Sequence, residues 1–150
     1  MKNEPLFNRT ISILVNAYLN ETLIHGECQA CAVGNIIANN MGYVPDMFGC
    51  GTQWIDKKTK KIIIPQWSYI FAYGILLTKN PELHLKSMHE IKMSGYSLDE
   101  LMLIEKSFED APKPDKSGYL GLMSVCDALM EIHEANEIEI NEAKALFTHA

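Results

Sequence analysis

Cysteine is scarce in this chain, with four in 150 residues. That is too few to staple a small secreted domain through several disulfides. A long apolar run is missing as well. Ile62 to Thr78 carries no charge, but Pro65 and Gln66 interrupt it and it falls short of the roughly 20 apolar residues a membrane span needs. Met1 to Arg9 is polar and has no apolar core, so no secretory signal is expected. Positive charge is the next shortage: thirteen Lys and Arg stand against nineteen Asp and Glu, a net charge of −6. Phosphate neutralisation supplies most non-specific nucleic-acid affinity, so nucleic acid is a disfavoured partner. These shortages point to a cytoplasmic protein that does not enter the membrane.

Catalytic signatures are absent too. A metalloprotease HExxH would need a second His four residues after His89 or His133, where Met93 and Glu137 stand. The Glu-x-x-His of di-iron bundles fails at all five histidines. Gly49-Cys50-Gly51 matches no dinucleotide or phosphate loop, and no Gly-x-Ser-x-Gly elbow occurs.

What is present is helical periodicity. The 47% hydrophobic and 21% charged composition suits one globular domain over residues 1–150. Ile11, Leu14, Val15, Tyr18 and Leu19 recur at helical spacing and predict a first helix over about Asn8 to Ile24. A second, rich in small residues and so suited to a central position, is expected from about Glu27 to Met41. Tyr43 to Gly51 reads as a loop because of Pro45, Gly49 and Gly51. Residues 53–64 read as a β-hairpin around a charged turn. Helices are then expected from Pro65 to about Leu77 and from Asn80 to about Met93. A further helix follows the capping box Ser97-Leu98-Asp99-Glu100 to about Asp110. The last two are expected from Tyr119 to about Glu134 and from Asn141 to Phe147. The fold class is mainly α: a bundle of about six or seven helices with one small hairpin. His84, His89 and His133 read as surface or half-buried helix residues.

Two clusters reach toward chemistry. Cys28 and Cys31, three apart, would share one face of a helix and could meet one metal ion or form a redox pair. His25 and Cys50 could complete a Cys₃His tetrahedron, which suits zinc better than an iron–sulfur cluster. Small buried thiols explain the same residues without any cofactor. Lys57, Lys58, Lys60 and Lys61 form a basic knot that could hold an anion; a solvated hairpin tip is the favoured account of it.

Three stretches carry a resemblance: Cys28-Gln-Ala-Cys-Ala-Val-Gly-Asn-Ile36, Gly95 to Phe108, and Gly121 to Leu129. In these the chain resembles a small bacterial helical family. Its members often carry the label of the flavin- and iron–sulfur-bearing component of the sodium-translocating NADH–quinone reductase. The plant-type cluster of that component wants C-x₄-C-x₂-C and a distant fourth Cys, and this chain offers one C-x₂-C. The resemblance therefore implies a helical fold with Cys28 and Cys31 in matching positions. The functional expectation is a non-enzymatic helical protein that binds another protein or its own copies. The alternative is a metal-binding or redox-linked protein using Cys28 and Cys31.

Overall fold

A computed structural model describes residues 1–24, 31–48, 51–63, 65, 67, 81–111 and 118–148. Among them are six helices: α1 (Glu4–Leu19), α2 (Ala32–Asn40), α3 (Pro81–Ser94), α4 (Leu98–Glu109), α5 (Tyr119–His133) and α6 (Glu137–Thr148). One antiparallel sheet, in the order β1-β2-β3, joins β1 (Tyr43–Phe48), β2 (Gly51–Asp56) and β3 (Ile62–Ile63). The mainly α bundle with a small hairpin is what the sequence predicts. The helix expected over Pro65–Leu77 lies outside the described residues, apart from Pro65 and Trp67.

α2 is the hub, touching α1, α3, α4 and β1. Its small residues, Ala32, Gly34 and Ala38, let neighbours approach, and Val33, Ile36 and Ile37 are fully buried against them. Leu14, Leu101, Ile104, Phe108, Leu122, Leu129, Ile140 and Phe147 complete the core around it. No described helix is long and apolar enough to cross a membrane.

Several boundaries differ from expectation, each for a local reason. Tyr43 to Phe48 is a strand and not a loop, pairing with β2 from Tyr43–Asp56 to Phe48–Gly51. Its Pro45 is tolerated because β1 lies at the sheet edge. α1 begins four residues early, with Pro5 in its first turn. It ends at Leu19 because Glu21 takes a left-handed φ of 56° and the Thr22 N–H reaches back to the Ala17 carbonyl. α6 begins at Glu137 and not Asn141. Asn136 accepts from the Glu139 N–H (2.8 Å), and Glu139 accepts from the Asn136 N–H (3.1 Å). The Ser97–Glu100 box forms as expected, at 3.1 and 2.9 Å.

Gly121 on α5 faces Phe108 on α4. A Cβ at Gly121 would stand 2.6 Å from the Phe108 ring and 3.0 Å from its carbonyl oxygen. Phe108 is fully buried, so the ring has nowhere to retreat. Gly121→Ala gains about 1 kcal/mol of helix propensity but overpacks by about 1–3 kcal/mol. A net loss of stability is expected in urea denaturation; a more stable variant would show that the contact is loose.

Candidate functional site

Of the four expected metal ligands, His25, Cys28 and Cys50 lie outside the described residues. Cys31 is not inside a helix as expected; it is the extended residue that caps α2, and its Sγ accepts the Gly34 N–H at 3.4 Å. Asn35 holds it there, donating from Nδ2 to the Cys31 carbonyl (3.0 Å) and to the Thr22 carbonyl (2.9 Å). Thr22 returns a hydroxyl bond to Asn35 Oδ1 at 3.0 Å. Among the described residues, no three His, Cys, Asp or Glu lie close enough to hold a metal ion. Cys126 is fully buried in α5, and burial pushes its thiol up to about 12. A thiol so rarely ionised makes a poor nucleophile.

The lysine knot is a hairpin tip. Asp56 Oδ1 accepts the Lys58 and Thr59 N–H groups at 2.8 and 3.1 Å, and Lys60 turns the chain with a φ of 62°. Those two backbone donors hold the Asp56 carboxyl below its usual range. Lys57, Lys58, Lys60 and Lys61 are all exposed around this turn.

His133 is not the surface or half-buried residue the sequence suggests: it is 2% exposed and belongs to a buried polar chain. Glu134, left-handed at φ 53°, ends α5 and sets His133 in its last turn. Nδ1 lies 2.7 Å from the Lys2 carbonyl, which only accepts, so Nδ1 carries the proton. Nε2 lies 2.8 Å from the Tyr96 hydroxyl. Burial pushes the Tyr96 phenol up to about 12, which keeps it a donor. Thr10 closes the chain, 2.8 Å from Tyr96 Oη and 2.8 Å from the Leu6 carbonyl. Phe7 and Tyr96 meet the imidazole edge-to-face, with ring centres at 5.3 and 5.5 Å. The Lys2 N–H donates to the His133 carbonyl, so the chain's first residues are strapped to the end of α5 from both sides. Both ring nitrogens are used for structure.

α3 is the anomaly. Its inward stripe is Ser87, Glu90, Ile91 and Ser94, at the i, i+3, i+4, i+7 spacing of a buried face, and three of the four are polar. Its outward stripe holds Leu85 (70% exposed), Met88 and Met93, with Lys86, His89 and Lys92 between them. The helix is inside-out. Ser94 is satisfied, accepting the Tyr96 N–H at 3.1 Å. Among the described residues, Ser87 Oγ and both Glu90 carboxyl oxygens have no close hydrogen-bond partner. Burial raises the Glu90 carboxyl to about 7, with Lys86 and the nearby Trp67 amide pulling the other way. Its charge also acts on Tyr43, whose ring stacks on Trp67 at 6.3 Å.

A second surface lies between α1 and α6, a groove of about 290 Å³. Phe7, Ile11 and Leu146 give it an apolar floor, and Glu4, Glu139 and Glu142 give it an acidic rim. Neither α3 nor this groove is among the sites the sequence suggests. Both stripes of α3 sit at helical spacing in the sequence, so a signal is there; what it lacks is which stripe faces in. No family model, curated protein or solved structure matches this chain.

Proposed function

We propose that this chain is a helical binding protein that engages a macromolecular partner through the outer face of α3. One observation carries the reading: Leu85, Met88 and Met93 lie exposed on a helix that buries Ser87, Glu90 and Ser94. Burial of apolar area normally decides which side of a helix faces the core, at about 25 cal/mol per Å². An apolar face turned outward gains that energy only when something else covers it. Lys86, His89 and Lys92 interleave with it, and Leu85–Ser94 presents no exposed acidic side chain. The complementary partner surface is apolar and acidic.

Site-specific photo-cross-linking tests this in cells. A benzoylphenylalanine at Leu85 is expected to give discrete adducts that vanish when Lys86 and Lys92 become Glu. The same probe at Lys57, on the hairpin tip, serves as the background. Adducts no stronger than that background, or indifferent to the two charge reversals, would overturn the reading.

A further inference from the structure

We infer that the partner of the α3 face is the α1–α6 groove of a second copy of this chain. This rests on the binding reading above and supplies its occupant. The two surfaces match in chemistry. The face offers Leu85, Met88 and Met93 with Lys86 and Lys92, whereas the groove offers Phe7, Ile11 and Leu146 with Glu4, Glu139 and Glu142. Apolar side chains would seat in an apolar floor while cations meet carboxylates at the rim. That is the helix-in-groove mode of recognition.

They match in length too. Leu85 to Met93 rises about 12 Å along its axis, and Glu139 to Leu146 about 10 Å. The α3 residues concerned are already helical, so docking orders no new backbone and avoids that entropic cost. They also occupy different parts of the fold, α3 lying on α2 while α6 lies on α1 and α5. One copy can therefore give its helix to one neighbour and its groove to another. Such a contact is heterologous, and it closes into a ring or extends as a filament according to the rotation per copy. Opposite charges on the two surfaces explain how a chain of net charge −6 can meet itself without self-repulsion at the contact.

Sedimentation equilibrium of the purified full chain is the test. The expected result is concentration-dependent association that weakens as salt rises from about 0.05 to about 0.5 M. Lys86→Glu with Lys92→Glu makes both surfaces acidic, and Glu4→Lys with Glu142→Lys makes both basic. All four side chains are exposed, and Glu139 is left alone because it caps α6. Each variant alone is expected to associate at least about tenfold more weakly. An equimolar mixture of the two restores association, which also shows that both are folded. A wild-type chain that stays monomeric, or association that survives both reversals, refutes self-docking. If Leu85 adducts nevertheless form in cells at masses other than multiples of this chain, self-docking fails and the binding reading stands. If no specific adducts form at all, both fail.

Discussion

Replacing His133 with alanine is expected to cost about 3–5 kcal/mol of folding stability, the largest single loss foreseen in this fold. The cost has two sources. Removing a buried ring leaves a cavity between Phe7 and Tyr96, and aromatic-to-alanine changes in cores cost about 3–5 kcal/mol. The deletion also removes the ring partner of the Lys2 carbonyl and leaves the Tyr96 hydroxyl with Thr10 alone; a buried group left unpaired costs about 1–3 kcal/mol unless water reaches it. Partial relaxation of the first three residues offsets some of this. For a domain whose total stability is about 5–15 kcal/mol, the result is a melting point lower by about 10 °C. Tyr96→Phe keeps the ring and removes only the shared hydroxyl, so about 1–3 kcal/mol is expected from it. Urea titrations of the two single variants and their double would measure the coupling. Stability within about 0.5 kcal/mol of wild type for His133→Ala would mean that the strap on α5 carries no energy.

Glu90→Gln is expected to remove the loss of stability that the Glu90 carboxyl contributes between acid and neutral pH. Burial raises the folded carboxyl from 4.5 to about 7, so the folded state holds this proton more tightly than the unfolded chain does. The sign follows from proton counting. Between these values the folded state binds more protons, so stability falls as pH rises, and above about 7 it levels off. At about 1.4 kcal/mol per unit the total is at most about 3–4 kcal/mol. Below about 4.5 the acid is neutral in both states and carries no penalty. Gln has nearly the same shape and no charge, so its stability relative to wild type should improve by about 2–3 kcal/mol from about pH 4.5 to about pH 8. Denaturant midpoints at those two pH values decide it. An equal gap between the two proteins at both would show that the carboxyl is solvated where it lies.

How much of this was legible in the sequence depends on how local the cause was. Ser97–Glu100 announces a helix start through four adjacent residues, and both of its bonds form. Asn136–Glu139 carries the same kind of signal and forms the same kind of box, so the early start of α6 was readable too. Pro45 misleads because its missing N–H forbids a central strand but not an edge one, and edge position is a property of the sheet. His133 looks isolated in the sequence because its partners stand 37 and 131 residues away. The inversion of α3 is the hardest case. Both stripes share the helical spacing, and only the packed neighbours reveal that Ser87 and Glu90 face inward.

The position of α2 bears on the order in which the molecule assembles. Nine residues are fewer than the roughly 12–15 an isolated helix needs in water. α2 therefore gains its structure only as α1, α4 and β1 close around it, whereas α4 and α5 meet across a short stretch of chain. The contacts of α2 with α1 and β1 are local in the chain, whereas those with α3 and α4 are not, so the distant pair carries the larger cost in chain entropy. The Cys31 cap thus sits at the start of a helix held from both near and far along the sequence.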